Sequence, residues 1–162
     1  YTFDETKIPD NASGKYVFGV NTVVNYYYLY SGKKETLHIK YSDDSAASER
    51  AMSLWAWQEQ VPMSDGTLGS VNLSKKGSWP GDAVSTAKDE NGWWTASVDT
   101  PGVGVFCFIL SVSGSPQTQD YKGFKDEELW VVVDGNNMVN QGDWLSIYNV
   151  DPEANPDATP LA

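Results

Sequence analysis

The chain has very few of the residues on which many enzymes and metal sites depend. It contains one cysteine and one histidine in 162 residues. A single cysteine excludes an internal disulfide, and a single histidine is a poor basis for a catalytic triad or a zinc site. No apolar run approaches the roughly 20 residues that a membrane-spanning helix needs, so membrane insertion is not expected.

Basic residues are also scarce. The chain has 11 Lys and Arg against 22 Asp and Glu, which gives a formal net charge of −11. Such a surface repels phosphate backbones and anionic membranes, so we do not expect nucleic acid or a membrane as partner. A neutral ligand is little affected by this field. The acidity is also typical of a protein that must stay soluble outside the cell.

A search for catalytic groups finds little. Cys107 lies in an apolar run and is interpreted as a small buried hydrophobe, and His38 as an ordinary strand residue. Adjacent carboxylates occur at 43–44 and 126–128, but glycosidases need two carboxyl groups held apart across a cleft. No phosphate-binding glycine loop or EF-hand pattern is present. We therefore predict a non-catalytic protein without a cofactor, with a structural calcium on loop carboxylates as an open alternative.

Alternation of apolar and polar residues predicts a fold built from short strands. Leu37, Ile39 and Tyr41 alternate with polar neighbours, as in a half-buried strand. Further strands are predicted at 16–20, 22–30, 52–57, 93–98, 103–112, 129–133 and 144–148, separated by turn-forming clusters and a long loop from Met63 to Ser78. This organisation predicts an all-β fold, an antiparallel, immunoglobulin-like β-sandwich.

The predicted sandwich occupies residues 1–150 as a single module. Residues 151–162 contain three prolines, several acidic residues and little apolar content. This composition predicts an acidic, proline-containing linker or tail, and it suggests a module taken from a larger protein.

Aromatic residues are abundant, with seven Trp and nine Tyr. In the strand at 52–57, Leu54 and Ala56 are predicted to face the core, so Trp55 and Trp57 share the opposite face. An indole can stack on the flat C–H face of a pyranose, and two indoles in this spacing can hold neighbouring sugars while polar groups bind the hydroxyls. Alternatively, both tryptophans are covered by another part of the protein.

The other aromatic segments are less specific. Trp79-Pro80-Gly81 lies in a polar loop, where the indole is either a lid over the sandwich or a third stacking platform. Trp93-Trp94 opens a strand, so one indole is expected in the core and the other partly exposed. Trp130 and Trp144 are interpreted as structural. Residues 26–30 offer alternating tyrosines, either as a second aromatic face or packed under a loop.

Four segments together resemble bacterial starch-binding modules of carbohydrate-binding family 26. In order along the chain they are Leu54-Trp55-Ala56-Trp57, Trp79-Pro80-Gly81, Glu90-Asn91-Gly92-Trp93-Trp94 and Gln117-Thr118-Gln119-Asp120. The resemblance covers roughly residues 35–134. The first segment and Leu129 to Val133 also resemble the pullulanase-associated modules of family 41, which is the second choice.

The resemblance implies a sandwich that binds α-1,4-glucan without cleaving it. Trp55, Trp57 and Trp79 would form the platform, Gln117 would lie near the sugar hydroxyls, and Asp120 would either bind sugar or hold its own loop. Trp93 would lie in the core, although one of the pair Trp93-Trp94 is expected to be partly exposed.

The implied partners are starch, amylose, amylopectin and maltooligosaccharides. We expect a monomer tethered to other domains of an amylase- or pullulanase-type protein, secreted or attached to the surface of a bacterial cell. Two alternatives stay open, namely an adhesion or spacer sandwich that binds another protein and, less favoured, a small hydrolase.

Overall fold

A computed structural model describes residues 33–43 and 49–162 of the chain. The strands predicted at 16–20 and 22–30, with their tyrosines, lie outside the described residues. Nine strands are described: β1 Lys33–Tyr41, β2 Ser53–Pro62, β3 Leu68–Asn72, β4 Asp82–Ala83, β5 Trp94–Thr100, β6 Val105–Ser111, β7 Tyr121–Phe124, β8 Glu128–Val133 and β9 Leu145–Tyr148.

The strands form two sheets. The front sheet has the order β3-β2-β6-β7, with β4 paired to β2, and the rear sheet has the order β5-β1-β8-β9. The predicted all-β sandwich is confirmed. One pair departs from the antiparallel rule, since β1 and β8 run parallel. A parallel pair needs a crossover connection, and here the chain builds the whole front sheet between these two strands.

The core lies between the facing sides of the sheets. The residues buried there include Leu37, Ile39, Leu54, Ala56, Phe106, Phe108, Leu110, Leu129 and Val131. The alternation predicted for β1 and β2 is present as alternating burial. Every residue of β6 is buried, as its continuous apolar run predicted, because β6 is a central strand. Cys107 belongs to this strand and is fully buried.

The segment from Met63 to Ser78 is not only a loop, because it contains β3. This strand pairs with β2 through Trp57↔Asn72 and Gln58↔Val71, and the register shifts before Val61. Its sequence, Leu-Gly-Ser-Val-Asn, has little of the β-branched and aromatic content that identifies strands. Pairing with the edge of β2 produces the strand where local propensity does not.

Trp93 and Trp94 are both buried, so the expectation that one is partly exposed is wrong. Trp93 is 2% exposed and Trp94 is 4% exposed. Trp94 pairs with Ile39 and belongs to the core cluster. On the other side of the sheet, the ammonium group of Lys40 lies 5.4 Å from the centroid of the Trp93 ring. Residues far apart in sequence therefore cover the second indole.

The last residues of the chain lie against the rear sheet. The amide of Leu161 donates to the carbonyl of Ile147 over 2.6 Å, and the amide of Ile147 donates to the carbonyl of Ala162 over 2.9 Å. Glu153 forms an ion pair with Lys40 at 2.8 Å. Whether residues 151–162 also connect to another domain stays a prediction.

In the described part of the chain, no helix has the length and apolarity needed to span a membrane.

Candidate functional site

Trp55 and Trp57 lie on the outer face of the front sheet, as the alternation predicted. In the β2–β6 ladder Trp55 is opposite Ile109 and Trp57 is opposite Cys107. Directly opposed residues point to the same face of a sheet, so the two indoles cover the outward side of β6. Both tryptophans are partly exposed, whereas Leu54 on the other face of β2 is buried.

Trp79 joins this face from a loop. Its ring centroid is 6.4 Å from that of Trp55, with 57° between the ring planes, and its side chain is 41% exposed. Because of this tilt, the two rings do not stack on each other, and both contribute to one open surface. Of the two roles predicted for this indole, the position beside Trp55 favours the third platform.

The backbone of the loop explains how Trp79 reaches Trp55. Gly81 has φ of +90°, and a Cβ atom there would collide with the carbonyl oxygen of Leu54. Only glycine combines this conformation with so close an approach to β2. The carboxylate of Asp82 accepts the backbone amides of Lys75 and Lys76 over 2.9 and 2.8 Å. Both ends of the loop are therefore anchored.

Gln117 lies on the same face as the indoles. Gln117 forms an isolated antiparallel β-bridge with Ser111, and Ser111 is opposite Ser53 on β2. The side chains of Gln117, Ser111 and Ser53 therefore lie on the outer face with Trp55. The backbone amide of Gln117 donates to Oδ1 of Asn140 over 3.1 Å. No described residue is hydrogen-bonded to its side-chain amide, which leaves this amide available for a ligand.

Asp120 is exposed and comes directly before Tyr121, the first residue of β7. Its negative charge is one cause, after the hydrogen bond and the charge of Glu59, of the raised pKa of Lys122. Within the described part of the chain, no donor reaches the Asp120 carboxylate, so nothing there shows it holding its own loop. It therefore contributes a free acceptor beside Lys122.

Glu59 is a member of this surface that the sequence analysis missed. Trp57 Nε1 donates to Glu59 Oε2 over 2.8 Å, and Lys122 Nζ lies 3.1 Å from the same oxygen. These two contacts, the indole first, lower the pKa of Glu59. The available signal was its position two residues after Trp57, on the same strand face. The bond fixes the orientation of the Trp57 indole.

Glu59 is poorly suited to act as the general acid of a glycosidase. A glycosidase needs a general acid with a raised pKa opposite a second carboxylate. Glu59 has a lowered pKa, and its carboxylate is already bonded to Trp57 and Lys122. In residues 33–43 and 49–162, no group of three or more His, Cys, Asp or Glu side chains is arranged to hold a metal ion. The structural calcium stays an open alternative.

The remaining predicted tryptophans fall into two groups. Trp144 is 2% exposed and its Nε1 donates to the carbonyl of Val139 over 3.0 Å, which confirms a structural role. Trp130 is partly exposed on the outer face of the rear sheet and stacks on His38. The expectation that Trp130 is purely structural did not anticipate this exposure.

Comparisons with known proteins yield structural likenesses only. No protein-family model matches the chain, and no curated protein matches it. One similar solved structure is CBMbc, of family CBM26, from Eubacterium rectale Amy13K in complex with maltoheptaose. It has 18% identity and a TM-score of 0.49, with 77% of this chain and 52% of that chain covered. The chain thus spans about half the length of that structure.

A second similar structure is the solution structure of CBM25-1 from the beta/alpha-amylase of Paenibacillus polymyxa. It has 14% identity and a TM-score of 0.44, with 74% of this chain and 94% of that chain covered. The first structure is of family 26, which the four sequence motifs resemble, and neither bears on the family 41 alternative. At these identities and TM-scores, the likenesses assign no ligand to this chain.

Proposed function

We propose that this chain is a non-catalytic module that binds the α-1,4-glucan chains of starch and maltooligosaccharides on the outer face of its front sheet. The observation that carries the proposal is that Trp55, Trp57 and Trp79 lie on one open surface, with Trp79 beside Trp55. Three indoles on one exposed face form an apolar platform of the kind that marks a recognition site.

The apolar contact is large enough for useful but weak binding. If a sugar ring removes about 80 Å² of indole surface from water, each contact contributes about 2 kcal/mol. Three contacts contribute about 6 kcal/mol before the cost of association, which corresponds to micromolar to millimolar affinity once hydrogen bonds are added. Gln117 and Asp120 supply polar groups beside the platform.

The charge of the protein favours a neutral ligand. The net charge of −11 opposes polyanions, and at the platform the charge of Lys122 is already paired with Glu59. A glucan carries no charge and presents both apolar faces and hydroxyl groups. The platform therefore matches a sugar polymer better than a nucleic acid or an acidic polysaccharide.

Weak binding at one site is most useful in a tethered module. A tether to a neighbouring domain raises the effective concentration of ligand, so the same contacts retain a larger protein on insoluble starch. We extend the proposal to a module of a secreted or cell-surface bacterial protein that degrades or captures starch. Isolation of the module as a monomer by size-exclusion chromatography would agree with this role.

The proposal is tested by titrating intrinsic tryptophan fluorescence with maltoheptaose, with cellohexaose as the linkage control. A saturable change with maltoheptaose alone supports it. A response to both sugars means that the linkage specificity is wrong. No response to either contradicts sugar binding and favours the adhesion module, in which the same indoles engage a protein.

Single variants then locate the site by isothermal titration calorimetry. Trp79→Ala should reduce affinity for maltoheptaose at least tenfold, since it removes one of three platform rings. Leu68→Ala is a matched control, because Leu68 is 66% exposed at the distant end of β3, opposite Pro62. Equal losses in both variants would show that the effect does not come from the platform.

A further inference from the structure

The outer face of the rear sheet carries a second row of rings. In the ladders, His38 of β1 is opposite Trp130 of β8, and Trp130 is opposite Tyr148 of β9. The three side chains therefore point to the same face and are all partly exposed. Their spacing follows the strand separation of about 4.8 Å, so the row extends over about 10 Å.

The orientation of the first two rings is fixed. The His38 and Trp130 ring centroids are 4.7 Å apart and the ring planes differ by 17°, which is a stacked geometry. A hydrogen bond of 2.6 Å joins His38 Nε2 and Glu128 Oε1, and Glu128 lies two residues before Trp130 on the same face. The faces that meet are covered, so a ligand would contact the outer faces and edges of the pair. A held ring loses little entropy on such contact.

A cavity of about 410 Å³ adjoins this row. Its lining includes Lys40 and Val132, which are opposite each other one step along the same face from His38 and Trp130. Trp93 and Glu153 also line the cavity, and Glu153 belongs to the last residues of the chain. The ring row and the cavity are thus parts of one continuous surface.

The cavity lining contains an unpaired donor. Trp93 is 2% exposed, and within residues 33–43 and 49–162 nothing accepts a hydrogen bond from its indole N–H. A buried donor without an acceptor costs about 1–3 kcal/mol. The nitrogen has no contact with solvent, so an acceptor in the cavity can reach it only if a neighbouring side chain moves.

Two charged residues of this surface, Lys40 and Glu128, have partners within the protein. Lys40 Nζ lies 2.8 Å from Glu153 Oε2, and Glu128 is bonded to His38. Hydroxyl groups flank the rings, since Thr95 is opposite His38 and Ser146 is opposite Val132. A ligand that matches rings and hydroxyls, without a charge of its own, is a neutral sugar chain.

We propose that the outer face of the rear sheet is a second glycan-binding surface, with Trp130, Tyr148 and His38 as its platform and the adjoining cavity beside Lys40 and Val132 as a further subsite. The inference rests on the proposed function for the choice of glucan. Packed sheets lie about 10 Å apart and their outer faces point in opposite directions. One short oligosaccharide cannot contact both, so the module is bivalent and links two glucan chains.

The test uses the full chain with uniform ¹⁵N labelling and maltoheptaose as probe. Four proteins are compared, namely the parent, the front double variant Trp55→Ala/Trp79→Ala, and the rear variants Trp130→Ala and Tyr148→Ala. In the front double variant, the indole N–H signals of Trp130 and Trp93 should still shift saturably with the sugar. Calorimetry should give two sites for the parent and one for each front or rear variant.

The two proposals fail in distinguishable ways. If the front double variant shows no shift of the Trp130 and Trp93 indoles while the parent binds at one site, the rear surface is refuted and the proposed function stands. If the front double variant binds like the parent and Trp130→Ala abolishes binding, the rear surface stands and the front platform is wrong. No binding by the folded parent refutes both.

Folding of the variants is controlled separately. Trp130 packs on His38, so Trp130→Tyr is added as a fifth protein, because it keeps a ring and should restore the rear shifts. Tyr148→Ala removes the row's ring on β9, which leaves His38 and Trp130 in place. Loss of the Trp93 shift in Tyr148→Ala with unchanged front binding supports the rear surface, and an unchanged rear affinity counts against it.

Discussion

The carboxyl group of Glu35 is buried at one end of the rear sheet, and we predict that the fold loses stability as this group ionises. Glu35 is 6% exposed, and no group in the described part of the chain is hydrogen-bonded to its Oε2. Burial, and then the charges of Asp126 and Glu127, raise the pKa of Glu35 to about 8. Glu35 and Gln58 line one cavity, and Oε1 of Gln58 also has no hydrogen-bond partner among the described residues. A proton on Glu35 therefore supplies a donor beside two oxygens that lack one.

The direction of the pH effect follows from the two pKa values. In the unfolded chain Glu35 titrates near its ordinary pKa of 4.5, and in the folded chain near 8. Between these values the folded state holds a proton that the unfolded chain has released. The contribution of Glu35 to stability is therefore most favourable at pH values below its unfolded pKa, falls as the pH rises towards the folded pKa, and then levels off.

The magnitude can be worked out from the same values. A tenfold change in proton affinity is worth about 1.4 kcal/mol, so a pKa raised from 4.5 to about 8 corresponds to at most about 5 kcal/mol. Water that reaches the carboxylate through the adjoining cavity offsets part of this cost. We expect the free energy of unfolding to fall by about 2–4 kcal/mol through this one group.

The assay is urea denaturation of the parent and of Glu35→Gln, followed by tryptophan fluorescence between about pH 5 and pH 9. Glu35→Gln cannot ionise, so the difference between the two proteins isolates this group from all other titrations. The variant should gain stability over the parent as the pH rises. Stability curves that stay parallel across the range would refute a buried, proton-holding Glu35.

Three further predictions concern the front platform. Gly81→Ala should cost about 2–3 kcal/mol in urea denaturation and weaken maltoheptaose binding, because its Cβ meets Leu54. Gly66→Ala, with similar φ but open space, is its control, and equal costs would contradict the close-approach argument. Leu54→Ala should cost about 2–4 kcal/mol of stability, because Leu54 lies in the core. Trp55→Ala should stay folded and lose maltoheptaose binding in calorimetry. Unfolding of Trp55→Ala would place Trp55 in the core. Glu59→Gln keeps an acceptor for Trp57 and should change stability by under about 0.5 kcal/mol, and a larger change would show that the exposed ion pair with Lys122 matters.

The facing of the platform could be predicted because it depends on a local rule. Strand residues alternate between faces, so the aliphatic character of Leu54 and Ala56 was enough to turn Trp55 and Trp57 outward. The full burial of β6 followed in the same way from its continuous apolar run. Such features depend only on residues that are neighbours in the chain.

Other features of the two surfaces depend on contacts between distant residues. Lys122 reaches Glu59 only because β7 and β2 flank β6 in one sheet. Strand β3, weak in local propensity, exists because β2 offers an edge to pair with. The second buried indole of the Trp93-Trp94 pair is covered by Lys40 and faces a cavity that also involves Glu153.

The sequence by itself therefore determined the all-β class, the faces of the main strands and the excess of aromatic side chains over what a core needs. Periodicity and composition carry this information, since each strand expresses them without reference to the others. Only the tertiary structure decided which aromatic residues meet. The close approach of Gly81 to β2 brings Trp79 to Trp55, and the parallel pairing of β1 with β8 aligns His38 with Trp130.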